Sequence, residues 1–526
     1  MPERHERALR WLRLTLLGGA FVVPLASSTL KSVTYDEVAH LPAGYSYLRT
    51  GEIHLNPMHP PLVKELCALP LLFFAPPMPE SAETLVAPGR PVWTQWGFGR
   101  ALLGADVRRL VFWGRWPAVM LSFALACVVA RWAQDLWGLP GSILSLFLYV
   151  FDPTITAHAG LVTTDVGFAF FATLYLYLLR ASLRERSWPR RLVCGAALGL
   201  ALGSKFSGIA LVPITALLLA LDAWWHPTSS ARKFFDASVM LGLLCVSAAL
   251  VVWALYFFPA DPLFYWNGVR AVNADHDATH QSLMLGRLSA QGWKSYLLVA
   301  WLLKTPIPSL LLFAASIVAF AAGRRAAALD EAFVIVPLIA LFVGYSLTTD
   351  NLGIRYLIPV FPFVFVFSGR LGPCLERRTI ALAVSAALLW LVVEFVAVSP
   401  DHLSYFNEIA GGPDRGPEWL DDSNVDWGQG LIQLRRYLDV HSVGAFRFCY
   451  FGSFDPKLYG VHGTDVDIRE IVSPPAQGTW ILSAHCVARA RAAIATSAIA
   501  GPSAWLASTE PSAIVGHAYY VYEIRE

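Results

Sequence analysis

The chain has 526 residues, of which 56% are hydrophobic and 15% charged, with a formal net charge of +2 and a mean hydropathy of +0.51. This composition excludes an ordinary soluble domain and is that of a chain crossing a membrane many times. No basic stripe with interleaved aromatics is present, so nucleic acid is not an expected partner.

In chain order, Arg4, Arg7 and Arg10 precede an apolar run over 11–30. Ala26-Ser27-Ser28 could end a cleaved signal peptide. The run is nevertheless long enough to span a bilayer, which takes ~20 residues, so a retained first helix is expected. A long loop over 31–108 follows, then apolar runs near 109–130, 141–158, 164–180, 191–203, 206–225, 236–258, 306–322, 332–347, 355–371 and 379–398. With the first helix they predict about eleven spans, the shorter ones tilted or re-entrant.

Basic residues are held on the cytoplasmic side. If each run is a span, Arg180, Arg184, Arg186, Arg190, Arg191, Arg232, Lys233, Arg324, Arg325, Arg370, Arg377 and Arg378 share a side with the N-terminal arginines. The loop 31–108, a turn at Thr163-Thr164-Asp165, the loop 259–305 and the tail from 400 then lie outside. Within the first loop, Leu62, Leu66, Leu69 and Leu72 alternate with Lys64 and Glu65, which predicts a helix over 59–74 lying along the membrane interface.

The tail changes character. Aromatic and β-branched runs at 445–451, 479–485 and 517–524, separated by Gly, Pro and Ser, predict a small extracytoplasmic α/β domain over 400–526 behind a membrane module over 1–399. No repeat or low-complexity tract is visible. The seven cysteines include no C-x-x-C spacing, and most lie in apolar runs, so neither a disulfide framework nor a thiolate metal site is expected.

Several motifs carry chemistry. Asp36-Glu37, directly after the first span, puts two carboxylates at a membrane surface, ahead of Asn56-Pro57-Met58-His59-Pro60-Pro61-Leu62-Val63-Lys64. The bland reading is a hydrated acidic pair flanking a helix. His59, stiffened by its prolines, caps a helix or hydrogen-bonds a substrate. Asp165 opens a span, where the helix dipole alone favours an acid. Lys64, Lys205, Lys304 and Arg355 are outward-side cations that either snorkel to lipid headgroups or face a phosphate. In the tail, Asp421-Asp422-Ser423-Asn424-Val425-Asp426-Trp427-Gly428-Gln429-Gly430 is rich in oxygen ligands but lacks the EF-hand spacing. It reads as a loose calcium loop, a sugar-binding loop with Trp427 as its platform, or a polar turn capping a helix that begins near Gly428. Asn407-Glu408 is expected beside the same cavity.

In their order, Asp36-Glu37, His59-Pro60-Pro61-Leu62, Asp165, Ser204-Lys205-Phe206, Lys304-Thr305-Pro306 and Arg355-Tyr356 resemble the GT-C glycosyltransferases, particularly the branch of protein O-mannosyltransferases and lipid A aminoarabinose transferases. The resemblance implies an α-helical polytopic membrane protein with a small extracytoplasmic α/β domain. It implies inverting transfer of one sugar from a polyprenyl phosphate to a hydroxyl acceptor on a protein, glycan or lipid at the outer face. Such a reaction needs one base, because the phosphate leaving group needs little protonation, whereas a glycosidase needs two carboxyl groups. Asp36 is the implied base, and Glu37 the neighbour that raises its pKa or orients the acceptor. His59 and Asp165 would hold the acceptor or its surroundings. Lys205, Arg355, Lys304 and Lys64 would bind the donor phosphate, where fixed positive charge is a large catalytic term. Many relatives carry an acid where Met58 stands; no metal ligand is assigned, and a divalent cation is left open as a cofactor.

Two other classes compete. A transporter or flippase of lipid-linked saccharides would also have many spans, but with ionisable groups near the bilayer midplane and symmetry between halves. A mere anchor for the tail would need a single helix.

Overall fold

Apolar runs of this length satisfy their backbone polar groups inside a bilayer only as helices, and helices they form. The computed structural model describes residues 2–79, 94–184, 187–225, 230–274, 281–323, 328–496 and 504–525. Arg186, Arg324 and Arg325, counted above with the cytoplasmic basic residues, lie outside them.

The first part of the chain forms α1 (Pro2–Thr29), α2 (Glu37–Thr50), α3 (Leu62–Ala68), α4 (Leu71–Phe74), α5 (Thr94–Gly104), α6 (Val107–Val150), α7 (Pro153–Ala159), α8 (Thr164–Arg184) and α9 (Trp188–Leu202). Next come α10 (Leu211–Trp225), α11 (Ser230–Leu255), α12 (Phe264–Ala274), the hairpin β1 (Ser282–Met284) and β2 (Arg287–Ser289), α13 (Tyr296–Lys304), α14 (Ile307–Ala322), α15 (Ala328–Thr348), α16 (Phe361–Ser368) and α17 (Arg378–Val398). Among the described residues seven helices are long and apolar enough to cross a membrane, or eight if α13 and α14, bent by 112°, count as one span. Two of the predicted runs are merged in the 44-residue α6, which breaks at Gly138 (φ 70) just before Pro140. Others form short pieces such as the 8-residue α16, buried along its whole length.

The first loop is folded tightly onto this bundle. Helix α2 lies between α3 and α5, and two glycines allow the approach: a Cβ on Gly44 would sit 2.0 Å from the Lys64 carbonyl oxygen, and one on Gly99 1.8 Å from that of Val38. The expected interfacial helix over 59–74 is corrected. It is two short helices, the first buried at Leu62, Val63, Lys64, Glu65, Cys67 and Ala68, and only its far end presents Leu69, Leu72 and Phe73 outward.

The tail contains α18 (Leu431–Val440), β3 (Phe446–Cys449), β4 (Thr464–Asp465), α19 (Ile468–Ile471), β5 (Gly478–Ser483), α20 (Ala484–Thr496), α21 (Trp505–Ser508), β6 (Ala513–Val515) and β7 (Tyr519–Ile524). Its strands form one sheet in the order β4-β3-β5-β7-β6, with β3 parallel to β4 and β5 and with β7 antiparallel to β5 and β6. The three aromatic runs became β3, β5 and β7. Val33, Val38 and Leu41 of the first loop share a hydrophobic cluster with Leu431, Leu434, Phe448 and Tyr519, so the sheet is packed onto the first loop. The expectation of no disulfide is also corrected: Cys449 and Cys486 are bonded, S–S 2.15 Å. Parallel pairing of β3 with β5 brings the start of α20 beside the end of β3, a proximity that spacing along the chain does not show.

A methyl group at Gly44 or Gly99 has nowhere to go except into backbone. Gly99→Ala is expected to lower stability by about 1–3 kcal/mol, as overpacking does, read as a fall in the melting temperature of detergent-solubilised protein; an unchanged melting temperature would contradict the packing.

Candidate active site

A cavity of about 940 Å³ opens between the first loop, the β1–β2 hairpin, the 346–356 segment and the tail. At its wall stands Asp36, immediately before α2. Its backbone carbonyl accepts from the amides of Ala39 and His40, at 3.0 and 2.9 Å, so the main chain starts the helix there. The side chain makes no cap hydrogen bond. Instead, Asp36 Oδ2 accepts from Arg355 Nη1 at 2.6 Å.

Arg355 arrives on a short 3₁₀ turn, Ile354–Leu357, behind Gly353. Gly353 has φ 138, and a Cβ there would lie 2.3 Å from Ser423 Oγ, so the turn can lean on the tail only through glycine. Ile354 N then donates to Asn424 Oδ1 at 3.0 Å. The guanidinium lies 4.5 Å from the centre of the Trp427 ring and 5.4 Å from that of Tyr356. Burial works to lower the Arg355 pKa, but Asp36 beside it outweighs burial and raises it, so the group is a permanent cation. Its Nε is buried without a protein partner.

Behind this pair stands a second. Lys205 Nζ donates to Asp165 Oδ1 at 2.5 Å and sits 4.8 Å from the Tyr356 ring centre. His40 and His59 meet edge to face, with centroids 5.1 Å apart. Burial pulls His40 down to about 4 and His59 well below its ordinary value, so both are neutral imidazoles at neutral pH. Sequence reasoning missed His40, although it lies four residues beyond Asp36 and hence on the same helical face. It also missed Tyr35, Trp96 and Phe451, which line the cavity beside Asp36.

Of the predicted residues, Asp36, His59 and Arg355 line the cavity and Asp165 and Lys205 back it; three go elsewhere. Glu37 is fully buried. Its oxygens accept from Arg115 Nε at 2.8 Å and Nη2 at 2.6 Å, from Thr34 N and Oγ1 at 2.9 Å, and from Val162 N at 3.0 Å. Burial works to raise its pKa, but Arg115 and these donors bring it below the usual carboxylate range. The expectation that Glu37 works beside Asp36 is therefore corrected, because a helix start points two adjacent side chains in different directions. Lys64 is not exposed to snorkel and does not line the cavity. Buried, it donates to the carbonyls of Asn56 and His59, both at 2.7 Å, and so holds the loop that carries His59. Lys304 spends its ammonium on the carbonyls of Leu403, Tyr405 and Asn424, at 3.0, 2.8 and 2.5 Å.

In the tail loop, the reading as a turn whose polar side chains cap the next helix is corrected. Asp421, Asn424 and Asp426 are buried, and burial raises both aspartates to about 7. The following helix starts at Leu431, and its first amide donates to Ser32 Oγ from the first loop, at 3.0 Å, rather than to a carboxylate of 421–426. Trp427 covers Arg355. Asn407 grips the carbonyls of Leu302 and Thr305, at 2.7 and 2.9 Å, outside the cavity lining, and Glu408 accepts from Trp390 at 2.9 Å. Among the described residues no group of three or more His, Cys, Asp or Glu side chains is arranged to hold a metal ion.

Residues 93–253 match the family model described as dolichyl-phosphate-mannose-protein mannosyltransferase. Among solved structures, ArnT from Cupriavidus metallidurans in the apo state is similar over 98% of both chains at 14% identity and a TM-score of 0.50. The same protein bound to undecaprenyl phosphate is similar over 97% of both chains, at 14% identity and a TM-score of 0.49. An oligosaccharyltransferase from Archaeoglobus fulgidus in the apo form is similar over 72% of this chain and 54% of its own, at 13% identity and a TM-score of 0.44. No curated protein matches the chain significantly. Over nearly its whole length the chain thus shares the fold of the apo ArnT structure, and its residues 93–253 match the mannosyltransferase family model.

Proposed function

We propose that the protein transfers a single sugar, with inversion, from a polyprenyl phosphate donor to a hydroxyl acceptor on the outer face of the membrane. The observation that carries this reading is the Asp36–Arg355 pair, a carboxylate and a permanent cation 2.6 Å apart on the wall of one cavity. In the reaction the acceptor oxygen attacks the anomeric carbon from the face opposite the phosphate, and the bond to the phosphate oxygen breaks with its electron pair. The acceptor's proton goes to Asp36. The freed negative charge is met by the Arg355 guanidinium, with the Lys205–Asp165 pair behind it. Neutral His40 and His59, edge to face beside the pair, add hydrogen-bonding groups to the cavity wall.

Supporting the outer-face placement, the tail carries a disulfide, a bond that persists in oxidising compartments, and the basic residues alternate as described above. The acceptor would be a protein, glycan or lipid hydroxyl. Transport is the weaker reading, because Asp36, Asp165, Lys205 and Arg355 all sit at helix ends on one side of the bundle rather than in mid-span.

Purified protein in liposomes, given labelled polyprenyl phosphate sugars and a mixed membrane extract as acceptor, is expected to transfer label. Asp36→Asn should reduce transfer at least ~100-fold in a normally folded protein. Equal transfer by both would remove Asp36 from its role. Glu37→Gln should act differently, because it strands the buried Arg115 charge. A stability loss of about 3 kcal/mol is expected, measured by thermal unfolding.

The histidines give a pH dependence. His40 has a pKa of about 4 in the folded protein against 6.5 ordinarily. Between these values the unfolded chain binds a proton that the folded one does not, so stability falls as pH drops through that window. Melting temperatures measured from pH 7 to pH 4 should fall, and less steeply in His40→Asn; identical slopes would contradict the buried neutral imidazole.

A further inference from the structure

Asp422 lines the cavity but has no part in the reaction derived above. Its backbone is left-handed, φ 56, a conformation that non-glycine residues adopt at a cost and that the surroundings must impose. The restraint comes from the first turn of α20. The amide of Asp422 donates to His485 Nδ1 at 3.1 Å, and one turn on Arg489 Nε donates to the neighbouring Asp421 at 2.8 Å. The His485 ring also lies flat against Phe451, with centroids 3.7 Å apart and planes at 15°. Phe451 in turn stacks on Tyr35, at 5.5 Å and 27°, and Tyr35 directly precedes Asp36. Cys486, next to His485, is bonded to Cys449, two residues before Phe451. One helical turn of the tail therefore fixes two lining side chains, Asp422 and Phe451, beside the base.

The chemistry of this wall selects what it meets. A carboxylate repels the donor's phosphate, whose place is at Arg355. The wall adjoins Asp36, and the group that Asp36 deprotonates belongs to the acceptor. Phe451 offers that acceptor an apolar surface, and Asp422, whose Oδ1 accepts from Ser423 N at 2.6 Å, offers it a carboxylate that can accept more than one hydrogen bond.

We propose that Asp422 is a specificity-determining residue that accepts a hydrogen bond from a hydroxyl or ammonium group of the acceptor, and that His485 is the positioning residue that holds it in place. The proposal rests on the transferase reading above. With Nδ1 accepting from the Asp422 amide, His485 carries its proton on Nε2. Asn at 485 can present an oxygen where Nδ1 stands, and Leu cannot.

The test uses the full chain in liposomes, titrating the labelled polyprenyl phosphate sugar and the mixed membrane extract separately. Asp422→Ala and His485→Leu should raise the half-saturating extract concentration about tenfold while leaving that of the donor within about twofold. His485→Asn should restore the wild-type value. Equal shifts for donor and extract, no shift in His485→Leu, or no rescue by Asn would overturn the proposal. Asp36→Asn and the wild type, run alongside, separate the two claims: no transfer by the wild type defeats the transferase reading, and transfer retained by Asp36→Asn removes only Asp36 from its role, whatever the 422 and 485 variants do. A second measurement needs no substrate. Amide exchange over residues 419–427 should be faster in His485→Leu than in wild type or His485→Asn, and identical exchange in all three overturns the positioning role.

Discussion

A buried ion pair outside the cavity sets the geometry inside it. Arg115, midway along the first half of α6, uses all five of its N–H donors: two reach Glu37, and the others reach the carbonyls of Ser28, Lys31 and Ser32. Glu37 in turn holds the amides of Thr34 and Val162. The end of α1, the start of α2 and the turn before α8 are thereby tied to one guanidinium. A buried pair of this kind contributes little net stability once desolvation is counted, but it penalises every arrangement that leaves a charge unmatched. Its effect is positional. Asp36 and Asp165 both hang from segments that it fixes.

The same economy recurs with Lys64 and Lys304. Each ammonium is buried against backbone carbonyls, Lys64 under the loop bearing His59 and Lys304 under the tail segments around Leu403, Tyr405 and Asn424. These lysines join loops that have no regular structure of their own to the helical bundle. Of the charged residues that the sequence singled out for donor, acceptor and base, Asp36 and Arg355 stand on the cavity wall, with Asp165 and Lys205 behind. The tail completes that wall. Trp427 covers Arg355, Gly353 lets the Arg355 turn lean on Ser423, and Ser32 from the first loop caps α18.

What was legible in the sequence follows from range. Apolar runs report the spans, because burial in lipid acts on each helix by itself, and the aromatic runs of the tail report β3, β5 and β7 for a similar local reason. Asp36, His59 and Arg355 were found through motifs. The sequence could not distinguish Asp36 from Glu37, since adjacent acids differ only in which partner lies across the fold, here Arg355, 319 residues away, or Arg115, 78 away. Lys64 and Lys304 were misjudged because a membrane-surface lysine usually snorkels, and nothing local shows that carbonyls from another segment will collect around it. The Cys449–Cys486 bond depends on strand pairing. His40 alone carried a usable local signal, its helical spacing from Asp36.

The account turns on where the donor's phosphate binds. A structure of the protein in lipid with a non-reacting polyprenyl phosphate sugar analogue would decide it. The account predicts a phosphate oxygen within about 3 Å of the Arg355 guanidinium, with the anomeric carbon facing the Asp36 side of the cavity. A phosphate bound away from Arg355, or a sugar turned so that Asp36 cannot reach an acceptor hydroxyl at its open face, would contradict it.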